Sequence, residues 1–178
     1  MPTIFTHAIA GAMITRIAVP GPQRRVLSYA AAFAAVLPDA DVIGLYTGLY
    51  TGIPYGGMLG HWGLTHSLAF ACAIGLVGAA WSGVRWGWIR TAACLAVATA
   101  SHGFLDALTN GGRGVAFFAP FSSERFFFPV TPVKVSPLGL GFFSERGLSV
   151  LASEMIWVGI PLLILNIAVA MVRARRGF

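Results

Sequence analysis

The sequence predicts an all-α integral membrane bundle of four to five helices with a long outer loop, and three observations carry that expectation. Only 10% of the 178 residues are charged and 57% are hydrophobic, whereas soluble domains carry about 25% charged residues. Mean hydropathy is +0.77, which suits lipid, where an ionised group at the bilayer centre costs about 3 kcal/mol. The apolar residues also gather into five segments separated by Pro, Gly and Arg. The length suits one membrane-embedded domain over residues 1–178.

The first segment runs from Thr3 to Val19 and stops at Pro20-Gly21-Pro22. The second runs from Val26 to Ile43, with Pro38 near its end. Both are marginal for a span, at the lower end of the roughly 17–25 residues it takes, so tilted, half-buried or interfacial placement is open for them. The third (Trp62–Gly83), fourth (Trp88–Leu108) and fifth (Leu148–Val172) are long enough to cross. Pro161 in the fifth is expected to kink it. Cys72 and Cys94 lie within apolar runs and read as small core residues, without a disulfide. No basic region precedes the first apolar run, so no cleavable signal peptide is expected.

Charge gives the orientation. With five spans, Arg16, Arg24, Arg25, Arg85, Arg90, Arg173, Arg175 and Arg176 fall on one side. The positive-inside rule makes that side cytoplasmic. The N-terminus and the 110–147 loop then face out. That loop is rich in Gly, Pro, Phe and Ser, and its prolines argue against a central strand. Long loops of this kind serve as lids or binding loops. The basic excess is topological, because no basic run is interleaved with aromatics as a nucleic-acid surface needs.

All four histidines and all three aspartates then map to the outer end of the segments. His102 and Asp106 are four apart, on one helix face. An imidazole and a carboxylate converging in this way suit zinc and other first-row divalent ions. Asp39 and Asp41 stand two apart at a helix end, where a turn can direct both inward. Asp39 is expected on the metal, and Asp41 beside it as an orienting group or general base. His61 and His66 are five apart and do not share a helix face, so both can act only if His61 lies in the loop before the helix. His66 is the better ligand candidate; His61 is expected to contact substrate or to stand behind the ligands, and is the histidine least expected to touch metal. Thr6-His7 repeats the form of Thr65-His66. No GxSxG, Gly-rich phosphate loop or HExxH is present, so serine hydrolase, nucleotide-binding and zincin chemistry lack support.

These motifs carry a resemblance. Met-Pro-Thr-Ile-Phe-Thr-His7, Leu-Pro-Asp39-Ala-Asp41, Thr65-His66-Ser67 and Ser-His102-x-x-x-Asp106 resemble the YdjM-type family of inner-membrane metal-dependent hydrolases. Asn110-Gly-Gly, Pro120-Phe-Ser and Val135-Ser-Pro fit as well, so the likeness covers nearly the whole chain. The family is similar in motif order to zinc-dependent phospholipases C and P1-type nucleases. That resemblance implies His7, Asp39, His66, His102 and Asp106 as metal ligands, with Asp106 bridging if there are two ions. No histidine follows Asp106, so a third zinc site of the soluble kind is not expected.

The expectation is therefore a plasma-membrane hydrolase using one or two divalent ions, by expectation zinc, to activate water against a phosphoester in a lipid or lipid-linked substrate. Arg113 and Arg125 in the outer loop are candidates to hold the anionic phosphate. Two alternatives stand beside it. One is amide or acyl-ester hydrolysis on a lipid, which a tunnel for an acyl chain leading to the metal would favour. The other is a metal-binding or transport protein, against which the first four segments show no polar trail to the cytoplasmic side.

Overall fold

The computed structural model describes residues 1–21, 23–46, 52–137 and 139–176; Pro22, the last residue of the expected break, lies outside them. Helices run over α1 (Ile4–Ala18), α2 (Arg24–Val36), α3 (Ala40–Tyr46), α4 (Leu68–Trp86), α5 (Trp88–Ala107), α6 (Glu145–Glu154) and α7 (Ile160–Arg175). No strand forms among the described residues, and the protein is an all-α membrane bundle.

Three stretches are long and apolar enough to cross a membrane: Arg24–Gly44, Leu68–Trp86 and Glu145–Arg175. The second sequence segment thus runs further than drawn, because a 3-10 turn over Leu37–Asp39 carries the chain through Pro38 from α2 into α3. The fourth segment, α5, has 20 residues but is not among the three. Arg90, His102 and Asp106 dilute its hydropathy. α1 remains a shorter apolar helix of 15 residues. The third segment starts its regular helix at Leu68 rather than Trp62, after a 3-10 turn over Leu64–His66.

The fifth segment is helical from Glu145 to Arg175, with a π-turn over Met155–Gly159. The expected kink at Pro161 is met by this wider turn just before it. Proline clashes with the carbonyl four residues back in a regular helix, and π-turns lodge such irregularities. α7 buries none of its residues. It lies parallel to α1, tied by Asn166 Nδ2 donating to the Met13 carbonyl (3.4 Å) and by Arg173 donating to the carbonyls of Arg16 (3.0 Å) and Ile17 (2.5 Å). Glu154 accepts from the Thr3 backbone N–H (2.5 Å), the Thr3 hydroxyl (2.7 Å) and the Thr6 hydroxyl (2.6 Å). A carboxylate there satisfies orphan donors and the positive end of the helix dipole. It also fixes where α1 begins.

Lipid tails are as apolar as leucine, so helices in a bilayer associate by close packing of small residues. α4 buries Ala71, Gly75, Ala79 and Gly83, one face at every fourth position. A Cβ on Gly75 would lie 2.5 Å from the Ala92 carbonyl oxygen of α5. On α1, a Cβ on Gly11 would lie 2.6 Å from both the Ala31 carbonyl oxygen and the Ala35 Cβ of α2. Between these pairs, α2 packs on α5 around Leu27, Ala31, Ala35, Leu95 and Ala98. Cys94 is buried in this cluster, but Cys72 is exposed. It sits one residue off the small-residue face, so the core role read from the sequence holds for Cys94 alone.

The loop after α5 folds back over the end of the bundle where α5 finishes and α4 begins. Phe128 N–H donates to the Ala107 carbonyl, Asn110 N–H to Val133, and Leu68 N–H to Phe117, each at 3.0 Å. Its only extended pairings among the described residues are the isolated bridges Thr109–Val133 and Val115–Phe126, as its prolines require. Substituting Gly11 or Gly75 by leucine should therefore separate the paired backbones. Each should lower the thermal unfolding midpoint in detergent, at a cost of at least about 1–3 kcal/mol. Leucine at exposed Leu76's neighbour Val77 should leave the midpoint unchanged.

Candidate metal centre

Four separate stretches deliver polar side chains to one buried volume. His7 sits on the second turn of α1, whose start is set by the Thr3 cap and Glu154. Asp39 and Asp41 straddle the change from 3-10 turn to α3. That change of pitch lets residues two apart both turn inward. His61 and His66 precede α4, one in a loop and one in the 3-10 turn. His102 and Asp106 lie a turn apart near the end of α5. All seven are buried, and His7, His61 and His102 have no exposed surface.

The outer faces of three imidazoles are fixed. His102 Nδ1 lies 2.7 Å from the Ala35 carbonyl, which can only accept, so Nδ1 carries the proton. His61 Nδ1 lies 2.8 Å from Asp41 Oδ1 and donates to it. The Thr65 hydroxyl donates to Asp41 Oδ2 (2.7 Å), which leaves its oxygen to accept from His66 Nδ1 at 3.0 Å. With Nδ1 protonated in each, the Nε2 atom presents a lone pair.

Those lone pairs face carboxylate oxygens. His102 Nε2 is 3.3 Å from Asp39 Oδ1 and 3.6 Å from Asp106 Oδ2. His66 Nε2 is 3.7 Å from Asp39 Oδ1 and 3.5 Å from Asp106 Oδ2. His7 Nε2 is 3.3 Å from Asp106 Oδ1, and its ring stacks on His102 with centroids 3.6 Å apart. These separations exceed the 2.7–3.2 Å of good N–H···O bonds. Nε2 of all four histidines, both oxygens of Asp39 and Oδ1 of Asp106 are buried without a hydrogen-bond partner. At His66 and His102 acceptor faces acceptor away from water, the arrangement a cation resolves, while at His7 neither ring nitrogen has a hydrogen-bond partner. The donor set, imidazole nitrogen with carboxylate oxygen, fits a divalent ion of the zinc type.

Two groups of potential ligands can be drawn. His7, His102 and Asp106 offer atoms within 4.8 Å of one another, and so do Asp39, His61 and His66. His61 is thus placed as a potential ligand, which departs from the substrate-contact role read from the sequence. A helical 61–66 segment would have pointed it away; the loop and 3-10 turn bring it in. Asp41 has both oxygens engaged by His61 and Thr65. It stands behind His61 and His66, on their Nδ1 side.

Trp62 was not singled out by sequence. Its indole N–H donates to Asp106 Oδ2 at 2.9 Å, and its φ of 60° is the one left-handed non-glycine among the described residues. Such a backbone costs about 1–3 kcal/mol and persists where its surroundings impose it. The bridging role of Thr65 and the part played by the Ala35 carbonyl were missed for a similar reason, since neither type stands out in an apolar run. The two loop arginines part company. Arg125 Nη1 donates to the carbonyls of Trp62 (3.3 Å) and Gly114 (3.0 Å), and Nη2 to those of Gly56 (2.7 Å) and Gly57 (3.0 Å). Burial, with Arg113 close by, pushes its pKa below the ordinary value. Arg125 therefore clamps the loop before α4, and the phosphate-binding role expected of it is corrected to a scaffold role. Arg113 is exposed beside it and has no hydrogen-bond partner among the described residues.

Residues 1–177 match the family model described as YdjM inner membrane protein. The chain is 39% identical over 169 residues to the inner membrane protein YbcI of Escherichia coli (strain K12), covering 90% of this chain and 92% of that protein. No solved structure matches it.

If the imidazoles are held for a cation, loosening their outer partners should weaken its binding without unfolding the bundle. Asp41→Asn should lower zinc affinity by about 10–100-fold, read by competition with a chromophoric chelator. Trp62→Phe, which keeps an aromatic ring of smaller size and removes one N–H from Asp106, should lower it less. Unchanged affinity in both variants would mean that these contacts serve folding alone.

Proposed function

The chain belongs to the YdjM inner membrane protein family, and from that premise we propose that it is a membrane-bound, metal-dependent hydrolase acting on a phosphoester in a lipid or lipid-linked substrate. The observation that carries the reading is the set of buried, unpartnered Nε2 and carboxylate oxygens facing one another at one end of the bundle. His7, His102 and Asp106, with Asp39, His61 and His66, are the residues that would hold one or two divalent ions. A bound divalent ion supplies Lewis-acid chemistry, polarising an ester oxygen and acidifying water.

The chain's own groups supply the rest. Asp41, Thr65 and the Ala35 carbonyl keep the imidazoles in one tautomer and orientation. Trp62 holds Asp106 by one oxygen and leaves the other free. Arg113, exposed at the loop, is the cation available to an anionic headgroup. The site's position near the helix ends suits a substrate whose reactive bond lies at headgroup depth.

A second reading has its own support. A groove of about 440 Å³ is lined by Ile4, Phe33, Val36, Leu37, Ile43 and, at its edge, Asp39. Its surface is otherwise apolar, and it lies along the candidate span Arg24–Gly44. An acyl chain seated there would bring an acyl ester or amide to the wall formed by Asp39, whose carboxylate oxygens are buried behind it. Transport is favoured by less. Glu154 is engaged in capping α1, and the polar side chains buried farther from the cluster, Thr15, Ser28, Thr91 and Thr99, are all hydroxyls. They amend the expectation of no polar trail, but they add no ionisable group.

Zinc-loaded protein incubated with phospholipids separates the readings. Release of a phosphorylated headgroup or of phosphate is the expected result, and release of fatty acid would select the second reading. Bound metal without either product would overturn both. Arg113→Ala should lower kcat/KM for a phosphoester by about tenfold, roughly one charge-assisted hydrogen bond, at unchanged metal content. For orientation, reporter fusions in the 110–147 loop should read extracytoplasmic and fusions after Arg176 cytoplasmic, as the arginine asymmetry requires. The reverse pattern would move the site to the inner face.

A further inference from the structure

The opposite end of the bundle holds a different kind of site. α1 ends there, α2 and α5 begin there, and α4 and α7 end there. These ends carry Arg16, Arg24, Arg25, Arg85, Arg90, Arg173, Arg175 and Arg176. All six carboxylate side chains of the sequence (Asp39, Asp41, Asp106, Glu124, Glu145 and Glu154) belong to the metal-centre half or its loop. The arginines thus have no Asp or Glu to pair with, and no arginine salt bridge forms among the described residues.

Between α7 and the α1–α2 turn lies a crevice of about 600 Å³, with Pro20, Arg24, Arg25, Ala170 and Arg173 on its walls. It continues into a narrower cleft of about 280 Å³ that shares Arg24, Ala170 and Arg173 and runs inward past Met13, Leu163 and Ile167. The mouth is cationic, with Arg16 also on the wall of the narrower cleft, and the depth is apolar apart from Asn166, whose amide donates to the Met13 and Leu162 carbonyls. Arg173 is spent on the Arg16 and Ile17 carbonyls, so it braces the wall. Arg24 and Arg25 have no side-chain hydrogen bond or ion pair among the described residues. Two free guanidiniums at the mouth, with that of Arg16 on the wall below them, over a largely apolar cleft match one chemistry closely, a phosphodiester attached to hydrocarbon. Guanidiniums bind phosphate oxygens in pairs, and basic pockets between membrane helices take anionic headgroups.

We infer that this crevice binds one anionic phospholipid, with its phosphate between Arg24 and Arg25 and an acyl chain along Met13, Leu163 and Ile167. The site fastens α7, which otherwise buries nothing, to α1 and α2. It is independent of any hydrolytic activity at the other end.

Native mass spectrometry of the full chain, released from micelles containing phosphatidylglycerol or phosphatidylcholine, tests this. One phosphatidylglycerol should be retained in preference to phosphatidylcholine. The double variant Arg24→Ala/Arg25→Ala should bind it about 30-fold more weakly. Ala170→Trp, which fills the crevice and keeps every charge, should also lower retention. Arg85→Ala/Arg175→Ala removes equal charge from the same end outside the crevice and should leave retention intact. Thermal midpoints measured without added lipid establish that each variant is folded, and Arg24→Lys/Arg25→Lys replaces a double alanine variant that is not. Equal losses in the crevice and control doubles, or full retention in Ala170→Trp, would mean diffuse attraction to the bilayer and overturn the site.

Discussion

Everything else in this protein answers to one electrostatic constraint: imidazole lone pairs face carboxylate oxygens in a volume closed to water. Taking an ion out of water costs several kcal/mol after relaxation, and three carboxylates share this volume. Whole domains are stable by only about 5–15 kcal/mol. The cluster must therefore be neutralised. With neutral histidines, one divalent ion leaves the three carboxylates one charge negative and two leave them one charge positive, so either occupancy brings the centre near balance.

The scaffold is organised to hold that cluster. Small residues let α4 lie on α5 and α1 on α2 at backbone contact, which brings side chains from different helices within ligand distance. Glu154 fixes the start of α1 and so the height of His7. Arg125 gathers four carbonyls of the loops on either side of the site, which steadies the irregular segment bearing His61, Trp62 and His66. The result is a bundle with two unlike ends, acids and imidazoles at one and unpaired arginines at the other.

The helices and the ligand residue types were legible in the sequence because lipid penalises polar side chains so strongly. In such a chain, each histidine or aspartate stands out, and the His102–Asp106 spacing survives because α5 is regular there. What did not show was backbone that departs from the helix. His61 was read as the histidine least suited to metal because five-residue spacing splits a helix face, but the segment is a loop and a 3-10 turn. The inward turn of both Asp39 and Asp41 needs the same kind of irregularity. Trp62 was illegible for another reason: in an apolar chain an indole reads as an interfacial anchor. Thr65 showed only as part of the Thr65-His66-Ser67 motif, without the bridging role that links Asp41 to His66. Arg125 looked like a ligand for phosphate because backbone carbonyls, its actual partners, leave no trace in residue type.

The measurement that tests the account most directly is metal per folded chain. Protein purified in detergent without chelator should contain one or two equivalents of a divalent first-row metal, and stripping it should lower the thermal midpoint. His102→Ala and Asp106→Ala, each folded, should lose most of that metal. A well-folded wild-type chain that holds no metal after incubation with zinc, and whose midpoint ignores chelator, would contradict it.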